Sequence, residues 1–305
     1  KRLRDRNRNI QDFVDKYLNV SEKEYNEENI VEANQVYDAF ICGSDQIWNP
    51  KLTSVDSMYW LPFVSEDKLK VSYAPSIGVD SFSEEQKKSI RKNLSTFKAI
   101  SSREENGTNL INEALGQEKC VTVLDPTLLV ERKIWDELSS SENQYKEPYI
   151  FVYMLRGTKK QRKLIEDFAK YKGYKIVTMP FLDNEKIEMY DFCFGDIKLW
   201  DASPADFISV IRNAEYVFTD SFHCMLYSCM YHRDFYTFPK IGQAQINRML
   251  GFQKMVSASE RMISEELSVE EIDKVKSIDW NDLDSILERK RKESKKYLME
   301  AFNIK

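Results

Sequence analysis

Short apolar runs alternate with helix-like stretches along most of the chain. The segment "YDAFICG" (37–43) is an apolar run that ends in glycine, which is typical of a buried parallel strand. The segment "KVSYAPSIG" (70–78) repeats this form, and the helical pattern "SEEQKKSIRKNL" follows it. The alternation continues through "FKAISS", "NGTNLINEAL" and "CVTVLDPTLL". This order of strands and helices predicts an α/β fold with parallel sheets.

A polar stretch, "SENQYKEP" (141–148), separates this series from a second one. The second series contains "YIFVYML", "KKQRKLIEDFAKY", "YKIVTMP", "EYVFTD", "SFHCMLYSCMYH" and "DFYTFP". Within it, "SPADFISVIRNA" predicts a helix with Ser203 as N-cap, Pro204 in the first turn and Asp206 three residues after the cap.

The two series predict two doubly wound, Rossmann-like domains that face each other across a cleft. We assign residues 1–146 to the N-terminal domain and residues 147–280 to the C-terminal domain. Residues 281–305 predict an amphipathic basic helix that packs back on the first domain. A solvated basic face is the favoured interpretation of this helix, and peripheral membrane contact is the alternative.

Composition and charge narrow the possible function classes. The chain has 305 residues, which is enough for about two domains of about 150 residues each. Hydrophobic residues make up 42% and aromatic residues 12% of the chain, so we expect a sizeable core. The net charge is −5, with 45 basic and 50 acidic residues interleaved. This balance gives no reason to expect nucleic acid as a partner.

The same sequence predicts a cytoplasmic protein without a bound metal. No apolar stretch approaches the roughly 20 residues of a transmembrane helix, and no signal peptide precedes the first predicted element. Five scattered cysteines without a CxxC pair favour neither a disulfide framework nor a zinc site. No other metal-ligand spacing is visible.

Polar side chains gather where the predicted strands end. In doubly wound sheets, ligands bind beyond the carboxyl ends of the strands, so these side chains are candidate site residues. They are Ser44, Asp45, Gln46 and Asn49 after the first apolar run, Ser76, Arg103 and Arg156 after three others, and Asp220, Ser221, His223 and Cys224 after "EYVFT".

Several of these residues also have an ordinary structural interpretation. Asp45 and Asp220 are suited to cap the helices that follow them. Arg103 stands beside two glutamates, which is compatible with a surface ion pair of little energetic value. Arg156 begins "RGTKKQRK", a solvated basic stretch. The second histidine, His232, is expected to cap a helix end.

Five segments, taken together, resemble a known family. "YDAFICGSDQIWNP", "SYAPSIG", "AISSREENG", "VLDPTLL" and "NAEYVFTDSFHCMLYS" occur in an order and spacing similar to those of polysaccharide pyruvyl transferases. The resemblance runs from about residue 12 to residue 255. It implies a fold like that of the two-domain GT-B glycosyltransferases. It also implies transfer of pyruvate from phosphoenolpyruvate onto a sugar diol as a cyclic ketal, with phosphate released and no cofactor required.

This chemistry suggests a role for each candidate. Phosphoenolpyruvate carries a phosphate and a carboxylate, which the helix start at Asp220–His223 and the two arginines could bind. His223 would act as acid or phosphate ligand, and Asp45 or Asp220 would accept the hydroxyl protons. The expected donor-binding residues are Ser44, Gln46, Asn49, Ser76, Arg103, Arg156, Ser221 and Cys224. The expected acceptor is a saccharide of a cell-surface polysaccharide or its precursor, free or lipid-linked, and a lipid-linked acceptor would place the protein at the inner face of the membrane.

Two features depart from the family pattern. Family members usually begin with a further strand and an Asn-Tyr-Gly turn, which has no counterpart upstream of "KRLRDRNRNI". We therefore expect part of the N-terminal half-site to be missing. The family motif reads His-Gly where this chain has His223-Cys224, so we expect Cys224 to crowd a bound donor. Two other functions stay open: a nucleotide-sugar-dependent GT-B glycosyltransferase, and a non-catalytic relative that acts as an interaction module.

Overall fold

A computed structural model describes residues 2–55, 57–139, 145–181, 189–239 and 243–304. The chain forms two compact units, here called unit N and unit C. Unit N comprises Ser21–Leu129, Gly242–Phe252 and Asp284–Lys305, and unit C comprises Lys1–Val20, Val130–Ile241 and Gln253–Leu283.

The α-helices are α1 (Arg2–Tyr17), α2 (Glu84–Leu94), α3 (Glu105–Leu115), α4 (Pro126–Leu129), α5 (Arg132–Leu138), α6 (Lys159–Lys172), α7 (Pro204–Arg212), α8 (Phe222–Met230), α9 (Gln243–Met255), α10 (Val269–Asp273) and α11 (Trp280–Ala301). The strands are β1 (Ala39–Cys42), β2 (Leu69–Ser72), β3 (Ile100–Ser102), β4 (Cys120–Thr122), β5 (Tyr149–Tyr153), β6 (Lys175–Thr178), β7 (Ile197–Lys198), β8 (Tyr216–Thr219) and β9 (Asp234–Thr237). Short 3-10 helices cover Ile30–Gln35, Met58–Trp60, Met189–Phe192 and Ser259–Arg261.

Unit C contains a five-stranded parallel sheet in the order β7-β6-β5-β8-β9. The chain enters at the central strand β5, moves outward to β7, and then returns to the other side of β5 with β8 and β9. The change of direction between β5 and β8 is the topological switch point, where doubly wound folds bind their ligands. Ile150, Phe151 and Val152 of β5 are completely buried, as expected for a strand covered on both faces.

Helix starts in unit C follow the capping chemistry of the sequence. Ser203 caps α7 in a capping box with Asp206, and Pro204 occupies the first turn, which confirms the prediction for this helix. Thr158 caps α6 in the same way with Gln161. Both helices therefore begin at fixed positions directly after the loops that leave the sheet.

Unit N contains four parallel strands. β1 pairs with β2, and β3 pairs with β4. A parallel bridge between Val71 and Ala99 links the two pairs in the order β1-β2-β3-β4. The predicted α/β fold with two Rossmann-like units of parallel strands is thus confirmed.

Helices pack on the sheet of unit N. Buried side chains of α2 and α3, including Ile90 and Ile111, form a core with Ile100 of β3. The second face carries α11, whose Tyr297 hydroxyl donates to the carbonyl oxygen of Ser72 at 2.8 Å. Trp48 is 1% exposed and stacks on Trp60 at a ring-centroid distance of 4.5 Å, so it is a core residue of this unit.

A glycine is required at the end of β1. Gly43 has a φ of +134°, and a Cβ atom there would lie 1.8 Å from the carbonyl oxygen of Tyr73. The glycine that ends "FICG" therefore permits the chain leaving β1 to approach the chain leaving β2 closely.

The observed units differ from the predicted domain boundaries. Sequence analysis assigned residues 1–146 to one domain, whereas Lys1–Val20 and the chain from Val130 belong to unit C. Arg6 of α1 is 9% exposed and donates hydrogen bonds to the carbonyl oxygens of Pro180 and Leu199. These bonds attach α1 to unit C. Among the described residues, no helix has both the length and the apolar character needed to cross a bilayer.

Candidate functional site

Asp220 lies at the switch point of unit C, directly after β8. Its side chain is buried, with 4% exposure. Its Oδ1 accepts a hydrogen bond from the backbone N–H of Leu155 at 2.6 Å, and its Oδ2 accepts one from the N–H of Arg156 at 2.7 Å. The carboxylate therefore holds the loop after β5 against the end of β8. This geometry gives Asp220 a positioning role, and its predicted role as a base stays a prediction.

The helix cap is Ser221. Its hydroxyl accepts a hydrogen bond from the backbone N–H of Cys224, and its own N–H donates to Thr219 Oγ1 at 2.9 Å. The Thr219 hydroxyl in turn donates to the carbonyl oxygen of Tyr153 at 2.6 Å. These bonds fix the first turn of α8 beside the ends of β5 and β8. The positive end of the helix dipole thus lies at the switch point.

The two histidines of the chain occupy opposite ends of α8. His223 is half-buried in the first turn, with its ring edge-on to that of Phe222 at 5.7 Å. His232 lies beyond the last turn, where its N–H donates to the carbonyl oxygen of Cys229 and its ring stacks on Trp280 at 5.0 Å. Only His223 lies at the edge of the sheet where ligands bind. His232 belongs to the helix end, as its sequence position indicated.

The side chain of Cys224 is buried within unit C. Its side chain has 0% exposure, and burial raises the pKa of its thiol well above the ordinary range. A side-chain interaction with Thr219 opposes this rise. The expectation that Cys224 crowds a bound donor stays a prediction.

Arg156 follows β5 and is exposed. Its backbone N–H is fixed by Asp220, so the residue is anchored at the switch point while its side chain extends outward. This placement is compatible with the predicted role in anion binding.

Arg103 is the centre of a buried ionic network in unit N. Its side chain is 1% exposed. It donates to Asp125 Oδ2 at 2.8 Å and to Asp45 Oδ1 at 2.9 Å, and its Nε lies 3.4 Å from Glu104 Oε1. Burial lowers the pKa of the guanidinium, but attraction to Glu104, Asp125 and Asp45 outweighs this and raises it. Three carboxylates engage this buried cation, so it is not a surface ion pair. Its predicted contact with the donor stays a prediction.

Asp45 is the exposed member of this network. Its carboxylate is 60% exposed although Arg103 holds one of its oxygens. Its φ of +62° is in the left-handed region, which residues other than glycine rarely adopt. The carbonyl oxygen of Asp45 accepts a hydrogen bond from the N–H of Ser76 at 2.7 Å. The structure thus presents a fixed carboxylate at the surface of unit N.

The other predicted residues of unit N have internal partners. The Ser44 hydroxyl donates to the carbonyl oxygen of Ala74 at 2.9 Å. Asn49 is 3% exposed and donates to Gln46 Oε1 at 2.8 Å. Ser76 is completely buried and donates to Glu104. The donor contacts predicted for these four serine and amide side chains are replaced by contacts that shape the loops after β1 and β2.

Sequence reasoning missed three members of the network around Arg103. Asp125 in "LDPT" accepts the N–H of Thr127 at 3.0 Å with Oδ1 and binds Arg103 with Oδ2. Glu104 was treated as a surface residue. Arg248 on α9 gave no signal, yet its pKa is lowered by burial and by the nearby Arg103. In the described ranges, no group of three or more His, Cys, Asp or Glu side chains is arranged to hold a metal ion.

A known family matches most of this chain. The sequence model of the family described as "Polysaccharide pyruvyl transferase" matches residues 1–239. A comparison with curated proteins finds no match.

Solved structures similar to this chain include two kinds of enzyme. The wall teichoic acid polymerase TagF, as its H444N variant with CDPG, has a TM-score of 0.49 and 11% identity, covering 98% of this chain and 85% of its own. The UDP-GlcNAc 2-epimerase of Methanocaldococcus jannaschii has a TM-score of 0.48 and 13% identity, covering 93% and 83%. The UDP-N-acetylglucosamine 2-epimerase of Rickettsia bellii has a TM-score of 0.48 and 14% identity, covering 95% and 85%.

Proposed function

The chain belongs to the polysaccharide pyruvyl transferase family, and from this premise we propose that it transfers pyruvate from phosphoenolpyruvate to a saccharide. The product would be a cyclic ketal on a sugar diol of a cell-surface polysaccharide or its precursor, free or lipid-linked. The observation that carries the proposal is the position of "TDSFH" (219–223): this family motif begins at the last residue of β8 and continues into the first turn of α8, at the switch point of unit C.

The start of α8 has the properties that the donor requires. Phosphoenolpyruvate carries a carboxylate and a phosphate, and a helix N-terminus favours anions through its backbone N–H groups and dipole. The exposed Arg156 follows the adjacent strand β5 and can form two parallel hydrogen bonds with either anionic group. His223 lies in the first turn of this helix and is half-buried. We therefore assign donor binding to unit C.

The proposed reaction balances without a redox step or an added co-reactant. A proton is delivered to the methylene carbon C3, and the electron pair of the C2–C3 double bond forms the new C–H bond. C2 becomes oxocarbenium-like, and the two sugar hydroxyl oxygens form bonds to it. The C2–O bond to phosphate breaks, and phosphate leaves with the electron pair. Of the two hydroxyl protons released, one replaces the proton given to C3 and the other is carried by phosphate or solvent.

We propose His223 as the acid that protonates C3 or the leaving phosphate, since an imidazolium N–H can donate a proton and the residue lies in the first turn of α8. Asp220 supports this residue by fixing the ends of β5 and β8. In unit N, the exposed carboxylate of Asp45, held by Arg103, is suited to accept hydrogen bonds from sugar hydroxyls. We therefore propose Asp45 as an acceptor-binding residue.

Ligand-dependent melting of the protein tests the donor assignment. A ligand that binds only the native state stabilises it by about 2.7 kcal/mol at 100 times its Kd. Phosphoenolpyruvate at millimolar concentration should raise the Tm of the wild type and of His232→Gln, and the shift should be lost in His223→Gln. Stabilisation by a nucleotide sugar, with none by phosphoenolpyruvate, would refute the assignment in favour of a glycosyltransferase.

A further inference from the structure

Arg6 carries a buried positive charge, and it has no ion pair with any carboxylate in the part of the chain that the structure describes. The residue lies on α1 and is 9% exposed. Within the described ranges, no carboxylate lies at ion-pair distance from its guanidinium, and its buried Nε has no hydrogen-bond partner. Burying a charge without a partner is costly, so buried arginines in proteins are normally paired. Arg6 departs from this rule.

Its guanidinium lies at the carboxyl edge of the sheet in unit C. One terminal nitrogen donates to the carbonyl oxygen of Pro180 at 2.8 Å, and the other donates to that of Leu199 at 2.7 Å. Pro180 follows β6 and Leu199 follows β7. The cation therefore joins the loops that leave two neighbouring strands, at the edge where parallel sheets bind ligands.

Electrostatic contacts relate Arg6 to the switch point. Burial raises the pKa of Tyr153, at the end of β5, to about 12, and Arg6 opposes this rise while Asp220 adds to it. The pKa of Arg6 itself is lowered by burial, and Tyr153 and Asp201 oppose that change. Arg6 is bonded to the loops after β6 and β7, and Asp220 is bonded to the loop after β5, so both residues lie at the carboxyl edge of the same parallel sheet.

We propose that Arg6 is the buried cation of an anion subsite at the carboxyl edge of the unit C sheet, which takes a carboxylate or phosphate group. The proposal rests on the proposed function for the identity of the natural ligand, phosphoenolpyruvate. Arg6 remains charged at any assay pH, because arginine is protonated throughout the working range. A bound oxyanion would supply the counter-charge that the described residues do not provide.

A charge-removing variant tests this subsite, and the same helix offers a matched control. Arg8 also lies on α1, but its side chain is 67% exposed and lies 3.9 Å from Asp5. Titration calorimetry would measure the Kd of inorganic phosphate and of phosphoenolpyruvate for the wild type, Arg6→Gln, Arg6→Lys and Arg8→Gln. Melting without ligand would be recorded for each protein.

We expect Arg6→Gln to weaken binding of both probes at least about 10-fold, Arg6→Lys to weaken it by less, and Arg8→Gln to leave it unchanged. The Tm of Arg6→Gln without ligand should fall, because the shorter amide cannot keep both hydrogen bonds to the carbonyl oxygens of Pro180 and Leu199. A purely structural role would give the same lower Tm with unchanged Kd values in the folded variant, and unchanged Kd values would overturn the proposal.

The outcomes also separate this inference from the proposed function. Binding of phosphate that depends on Arg6, with no binding of phosphoenolpyruvate, would support the subsite. The same result would refute phosphoenolpyruvate as the donor. Binding of phosphoenolpyruvate with the same Kd by the wild type and Arg6→Gln would overturn the Arg6 subsite. The assignment of phosphoenolpyruvate as the donor would remain supported. Failure of both probes to bind the wild type would overturn the subsite. If Arg6→Gln does not fold, unchanged Kd values in Arg6→Lys would overturn it as well.

Discussion

Removal of the Asp220 carboxylate should release the loop that follows β5. In the structure this buried side chain accepts two backbone N–H bonds, at 2.6 Å from Leu155 and 2.7 Å from Arg156. Asp220→Ala leaves both donors without this acceptor. The variant therefore tests whether Asp220 positions the edge of the sheet.

The expected loss follows from the burial of the two donors. A hydrogen bond to a charged group contributes about 1.5–3 kcal/mol, so two such bonds give an upper range of about 3–6 kcal/mol. Leu155 is half-buried and Arg156 is exposed, so water can partly replace the carboxylate at Arg156. We therefore expect Asp220→Ala to lower the free energy of unfolding of unit C by about 3 kcal/mol. Asp220→Asn should lose less, because its amide oxygen can still accept one of the two bonds.

Two measurements check this value. Urea denaturation gives the loss in free energy of unfolding, and hydrogen exchange reports the amides of Leu155 and Arg156 directly. A loss of about 3 kcal/mol corresponds to local opening that is more than about 100-fold more frequent. Asp167→Ala is the control, because Asp167 is 48% exposed and pairs with Lys163 on the same helix, so its loss should stay within about 0.5 kcal/mol.

A loss below about 1 kcal/mol in Asp220→Ala, together with unchanged exchange at both amides, would refute the positioning role. Such a result would leave the role of base as the prediction for Asp220, since its carboxylate would then be dispensable for the fold.

Two further predictions concern glycine and cysteine. Gly43→Ala should prevent correct folding of unit N, because its Cβ would lie 1.8 Å from the carbonyl oxygen of Tyr73. The control Gly116→Ala has nothing within 4 Å of the new Cβ and should lower the free energy of unfolding by about 1 kcal/mol. Soluble yield and urea midpoints would show the difference, and equal behaviour of the two variants would contradict it. Cys193 should be the one thiol that reacts rapidly with a thiol reagent in the native protein, because it is exposed and the other four are buried; fast labelling of a second cysteine in the native state would contradict the buried positions.

Local patterns were sufficient to predict much of the fold. The apolar run of β5, the capping chemistry of Ser203 and the strand-end position of "TDSFH" each depend on residues close together in sequence. Periodicity, capping and the rule for parallel sheets act over such short distances. The same rules place His223 at the edge of the sheet where ligands bind.

Long-range pairing could not be predicted in this way. The Arg103 network joins residues that lie 58 positions before and 22 positions after it in the chain, and no local pattern relates these positions. Likewise, α1 belongs to unit C through bonds from Arg6 to Pro180 and Leu199, which are 174 and 193 positions away. The burial of Cys224 depends on how α8 packs, which the order of residues in its motif does not specify.

Phosphate release from phosphoenolpyruvate in the presence of candidate glycans is the most direct test of the proposed pyruvyl transfer. We expect one phosphate to be released for each acid-labile ketal formed, and both products to depend on the glycan. Activity should be retained in His232→Gln and lost in His223→Gln. Consumption of a nucleotide sugar without release of phosphate from phosphoenolpyruvate, or equal loss of activity in the two histidine variants, would contradict it.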